Sequence, residues 1–395
     1  MPETTSIAAP PTVMPQPAVE APQTLRHLPG LDALRGVAIL MVFAYHYVDV
    51  DHFQTWSMRI AQPVIHALWI GVDIFFVLSG FLITRILLRT RDEPGYFRNF
   101  YARRALRIFP LYFGVLAVVF GIFPLVMHDP PGAAIAPQQG WLWSYLANFR
   151  MTTGGAQFKD RALFFSHFWT LCVEEQFYLL WPLVVRWARR RTLRLICGAM
   201  IFIPLIARVI LVARHANPYA CYVLTFCRMD TLAAGGILAL ALEHPARRAW
   251  VGQYARWGFW IGLVGLAGFA AYFNHDLLIE RAAFEVFGYP LVTLLGVSVV
   301  ALLALAPASG VVSAVGRNRP LMFLGGCSYG FYIFHYLLLP QLQRVVPIDA
   351  LAERTHSQML AVLAFAFFGL LVMTTVALVS YHLFEKHFLR LKRFF

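Results

Sequence analysis

The chain has 395 residues, 59% of them hydrophobic and only 13% charged, and its mean hydropathy is +0.63. That composition excludes an ordinary soluble globular protein. The net charge of +13 does not indicate a nucleic-acid binder either, because the basic residues alternate with apolar segments instead of gathering on one soluble face.

Residues 1 to 27 are rich in Pro, Ala and Thr and lack the basic start and apolar core of a secretory signal. They are expected to form a disordered cytoplasmic tail, with the membrane domain running from 28 to 395. From there, apolar stretches long enough to span a bilayer centre near residues 40, 76, 118, 177, 203, 233, 266, 296, 332 and 371. The expected fold is therefore all-α and polytopic, with about ten transmembrane helices. Lys and Arg favour one set of connections by roughly three to one, so the positive-inside rule places both termini in the cytoplasm. The longest outer connection, about 129 to 165, contains "WLWSYLANF", too short to span and suited to the membrane interface. The five cysteines have no metal-ligand spacing, so neither a zinc site nor a disulfide framework is expected.

The first span, "LDALRGVAILMVFAYHY", carries Arg35 and His46 eleven residues apart. That is about three turns, so both share one face, roughly 16 Å apart along the axis. The second span brings Asp73, the fourth Glu174 and Glu175, the sixth Arg228 and Asp230, and the ninth His335 to a similar outer depth. Ionisable groups facing lipid cost several kcal/mol, so they are expected to face a shared interior and to pair there, Arg228 with Asp230 among them. The basic connection before the third span ends in "YARRALRIFPLYF", where Arg104 and Arg107 lie on neighbouring turns of one helical face. Paired guanidinium groups suit a phosphorylated ligand.

These segments, together with "GVDIFFVLSGFLI", "FWTLCVEEQFYLLWPL", "RMDTLAAGGILAL", "SYGFYIFHYLL" and "SYHLFEKHF", resemble the acyltransferase 3 family of bacterial integral-membrane O-acyltransferases. The resemblance covers nearly the whole chain after residue 27 and is to the stand-alone form, without a C-terminal esterase-like domain. Thr170 stands where Ser is frequent in the family, and Cys172 where many members carry a small residue. The resemblance implies transfer of an acyl group, acetyl by default, from cytoplasmic acyl-CoA to a hydroxyl of an envelope glycan or lipid-linked sugar. It places the chain among the lipids of the bacterial inner membrane, with no metal and no nucleic-acid partner.

On that basis Arg35, Arg104 and Arg107 are expected to hold the CoA phosphates at the inner mouth of a continuous passage. The pantetheine arm threads toward His46, the general base, while Glu174 holds the second ring nitrogen of His46 as the third group of a triad does. Asp73 and His335 complete the candidate catalytic set, and Ser79, Tyr178, Ser328 and Tyr332 are candidate oxyanion donors or structural hydroxyls. Gly235 and Gly236 either admit the arm or let helices pack. Direct transfer and a transient acyl-enzyme are both open. The rival from another class is a proton-coupled transporter using the buried His and acid cluster; the arginine pair distinguishes them, because a proton path does not require it.

Overall fold

The computed structural model describes residues 28–50, 56–153, 158–217, 219–273, 281–306 and 310–395. The expected tail, 1 to 27, lies outside them. Among the described residues there is no strand, only an isolated bridge between Lys159 and Phe164. Ten principal helices lie where the apolar stretches predict them: α1 (Pro29–Tyr47), α2 (Gly71–Thr90), α3 (Tyr96–Ala117), α4 (Trp169–Trp187), α5 (Arg190–Ala213), α6 (Thr225–Leu242), α7 (Arg248–Tyr272), α8 (Tyr289–Ala304), α9 (Ser328–Leu337) and α10 (Gln358–Ser380). With the helical residues that extend them, α2, α3, α5, α6, α8 and α10 make six helices long and apolar enough to cross a membrane. The chain is an integral membrane protein.

The other four fall short for visible reasons. α1 carries Asp32 and Arg35, α4 carries Glu174, Glu175 and Arg186, and α7 interleaves its apolar residues with Gly, Trp and Arg. The ninth stretch, expected as one helix, is three: Arg319–Gly326, α9 and Leu339–Val345. Cys327 and Leu338 interrupt it with non-helical ψ angles near zero, after the Gly325-Gly326 pair and just before Pro340.

At the centre, α2 packs along α6. The best apolar windows of these two spans are 72% and 78% buried by protein, against 17% for α5, which therefore turns most of its surface outward. Two glycines make this close crossing possible: a Cβ on Gly80 would meet the Leu232 carbonyl oxygen at 1.9 Å, and one on Gly235 the Val77 carbonyl oxygen at 2.2 Å. Gly235 thus serves helix packing. α1 meets the Arg319–Gly326 helix the same way, with Gly36 against Leu321 and Gly325 against Asp32. α3 is tied to α4 by hydrogen bonds from Tyr96 Oη to the Pro182 carbonyl (3.0 Å) and from Tyr101 Oη to the Leu179 carbonyl (2.8 Å). Tyr329 Oη reaches the Ile108 carbonyl (2.7 Å), fastening the start of α9 to α3. These ties fix the basic face of α3 beside the acids of α4. The interfacial stretch 141 to 149 forms parts of two short helices, Gln139–Trp143 and Ala147–Arg150, with Trp141 and Trp143 exposed.

Candidate active site

Arg35 on α1, Arg104 and Arg107 on α3 and Glu174, Glu175 and Tyr178 on α4 line one cavity, together with Ser79 on α2 and Ser328, Tyr329 and Tyr332 on α9. It encloses about 780 Å³ of empty space, its open mouth included. Arg35 donates to Asp32 Oδ1 at 3.0 Å. Among the described residues, neither Arg104 nor Arg107 has a carboxylate within ion-pair distance. Arg104 stacks over the Tyr178 ring, 5.3 Å from its centroid, and feels the charges of Glu174 and Glu175 from further away. The two guanidinium groups keep their donors for an anionic ligand.

Glu174 departs from its expected role. It accepts a short hydrogen bond from Ser79 Oγ, which itself accepts from Tyr178 Oη at 3.0 Å. Among the described residues no hydrogen bond joins it to His46. The triad geometry is thus absent, and Glu174 belongs to the arginine end of the cavity. The start of α4 is covered by other chain: Phe165 and Phe168 are fully buried, and Phe164 N donates to the Leu337 carbonyl. Glu175 lines the same cavity, and its Oε1 is buried without a hydrogen-bond partner.

The far end of the cavity is closed by Tyr332 and Thr170, whose hydroxyls lie 2.6 Å apart. The His167 carbonyl lies within reach of both, 3.0 Å from Tyr332 Oη and 3.1 Å from Thr170 Oγ1, so one hydroxyl donates to the other and the second donates to this carbonyl. Behind this partition stand three imidazoles. The ring of His335 is 5.2 Å from that of His46 and 5.3 Å from that of His167, and Tyr336 covers His46 at 4.2 Å. His46 is not among the residues that line the cavity holding Arg35; the Tyr332 ring, in that lining, lies 5.3 Å from the rings of His167 and His335.

Each imidazole has one ring nitrogen on a backbone carbonyl: His46 Nδ1 on Val42 (2.9 Å), His335 Nδ1 on Tyr332 (2.7 Å) and His167 Nε2 on Ile333 (3.1 Å). A carbonyl only accepts, so those nitrogens donate, and in the neutral rings the lone pair sits on the other nitrogen. In His335 and His167 that second nitrogen, Nε2 and Nδ1 respectively, is buried with no hydrogen-bond partner. No group of three or more His, Cys, Asp or Glu side chains among the described residues is arranged to hold a metal ion. His167, the member that sequence reasoning passed over, sits in a short 3-10 turn (Ser166–Phe168) ahead of α4, outside its helical periodicity. The signal available was its place three residues before Thr170, immediately ahead of the "FWTLCVEEQFYLLWPL" segment.

Asp73 is not in the cavity. It is buried in an ion pair with Arg228, and Asp230 pairs with Arg208 at 2.9 Å. The expected pairing of Arg228 with Asp230 is thus exchanged across α2, α5 and α6. Tyr289 covers both guanidinium groups, with centroid distances of 4.4 Å to Arg228 and 5.2 Å to Arg208.

A domain model described as an acyltransferase domain, of the acyltransferase 3 family, matches residues 28–382. The peptidoglycan O-acetyltransferase OatA of Listeria monocytogenes is 28% identical over 332 residues, covering 80% of this chain and 50% of that protein. The O-acetyltransferase OatA of Staphylococcus aureus is 27% identical over 340 residues, covering 80% of this chain and 51% of that protein. The chain therefore spans about half the length of the curated relatives it matches. No solved structure matches it. The match over nearly the whole described chain, on a helical scaffold carrying the paired arginines and the buried imidazoles, shows that this protein belongs to the acyltransferase 3 family.

Proposed function

We propose that the protein is an O-acetyltransferase of the bacterial inner membrane. It takes the acetyl group from acetyl-CoA on the cytoplasmic side, where the arginines open, and passes it to a hydroxyl of an envelope glycan on the far side. The observation that carries this reading is the cavity itself, with two guanidinium groups lacking counter-ions at one end and a closed hydroxyl pair under three imidazoles at the other. The O-acetyltransferase names of the relatives support the same chemistry.

In this reading Arg104, Arg107 and Arg35 hold the donor's phosphates and the pantetheine arm lies along Ser79, Glu174 and Tyr178. The thioester stops beneath Tyr332 and Thr170, and transfer requires that pair to part. His46 Nε2 then removes the proton of the acceptor hydroxyl as its oxygen attacks the thioester carbonyl. The carbon–sulfur bond breaks, and the thiolate takes a proton and leaves through the cavity. His335, with its ring 5.2 Å from that of His46, holds the base in place.

Of the acids the transporter reading invokes, Asp73 and Asp230 are each held by a guanidinium, which leaves it Glu174 and Glu175. The deciding experiment reconstitutes the chain in vesicles with acetyl-labelled CoA on the arginine side and a soluble glycan on the other. Label on the glycan, abolished by His46→Ala, is expected. Solute movement that follows a pH gradient and needs no thioester overturns the proposal. Mass spectrometry of envelope glycans with and without the gene identifies the acceptor.

A further inference from the structure

Arg104 and Arg107 also line a second cavity, with about 910 Å³ of empty space when its open mouth is included. Its remaining walls include Arg103, Lys392, Phe100 and Phe395, with Glu93 as the one side-chain carboxylate. Lys392 comes from the Leu391–Phe394 turn, which the fold brings back to the basic helix: Arg103 Nε donates to the Phe395 carbonyl at 2.9 Å across 292 residues of sequence. The charges of Arg107, Arg104 and Arg103 all act on Lys392. Among the described residues, Arg104, Arg107 and Lys392 have no side-chain carboxylate within ion-pair distance; Glu385 faces Arg107 only from further away. Four like charges around one space repel each other, and an anion placed among them relieves that repulsion.

Resting on the acyl-CoA reading, we propose that this second cavity is the nucleotide subsite. Lys392 binds the phosphate monoester on the donor's ribose, leaving Arg104 and Arg107, in the wall between the cavities, for the diphosphate. Phe100 and Phe395 make part of the lining apolar. Lys392 is thereby a specificity-determining residue, distinguishing CoA thioesters from otherwise identical thioesters lacking the ribose phosphate. An anionic lipid headgroup presents the same phosphate chemistry and is separated from the nucleotide by the test.

Equilibrium binding of acetyl-CoA and of 3′-dephospho-acetyl-CoA is measured on the full chain in neutral-lipid nanodiscs, for wild type, Lys392→Gln and Lys392→Arg. Wild type should prefer acetyl-CoA by about tenfold. Lys392→Gln should lose that preference by weakening acetyl-CoA alone, and Lys392→Arg should keep it. Equal weakening of both ligands by Lys392→Gln, or no effect on either, overturns the subsite. Loss of the wild-type preference when phosphatidic acid is added shows a headgroup in the cavity and also overturns it. A wild-type chain that binds neither thioester overturns the donor reading, and the subsite with it; the first two failures leave the donor reading intact.

Discussion

Arg104 and His46 lie at opposite ends of the proposed reaction path, so their removal should fail differently. Arg104→Ala takes away a guanidinium that touches the donor before and during transfer, and should raise the KM for acetyl-CoA about tenfold or more with a smaller change in kcat. His46→Ala removes the base and should lower kcat by about 10²–10⁴ at nearly unchanged KM. Steady-state kinetics on the reconstituted protein separates the two, and identical profiles would remove the assignment. Asp73 should behave as neither. Asp73→Asn leaves Arg228 buried without its counter-charge, which costs about 3–5 kcal/mol. The expected result is loss of folded protein in detergent melts, partly restored by a further Arg228→Met change. The exchanged pairing was not readable from sequence, because Asp73 and Arg228 meet only once α2 lies along α6, 155 residues apart in the chain.

Among the elements, the helices themselves were legible wherever apolar runs were long, and all ten centres carry one. The Arg319 to Val345 stretch was not legible as three helices, since its hydropathy is continuous and the breaks come from Gly325, Gly326 and Pro340 acting with the docking of Gly325 on α1. The α2–α6 crossing supplies a sharper test. Gly80→Ala puts a methyl group onto backbone that cannot move without separating the two helices, and should cost about 1–3 kcal/mol or more. Gly268→Ala on α7, where a Cβ meets nothing within 4 Å, should be neutral or slightly stabilising. Thermal unfolding of both variants in the same detergent gives the comparison; equal melting temperatures would mean the crossing does not depend on the glycine.

For the molecule as a whole, the arginine-rich connections are the reason to propose that the ends of the described chain share a side. Single cysteines introduced at exposed positions 29 and 393 should both resist a membrane-impermeant thiol reagent applied to intact cells, and both react once the cells are opened. Labelling of either one in intact cells reverses the orientation on which the donor side depends. The three arginines were legible as a set because spacing alone puts Arg104 and Arg107 on one face and the motif order adds Arg35; the cavity joins them. The partition at its end was not, since Thr170 and Tyr332 belong to helices 162 residues apart whose approach only the fold decides.

That partition has a bearing on the cell's energy supply. In the proposed reaction a small group crosses a membrane that holds ion gradients, and a pore wide enough for a pantetheine arm would short-circuit them if left open. In that reading the paired hydroxyls of Tyr332 and Thr170, in the lining of the cavity, bar protons at rest, and removing both hydroxyl side chains should make resting vesicles leaky.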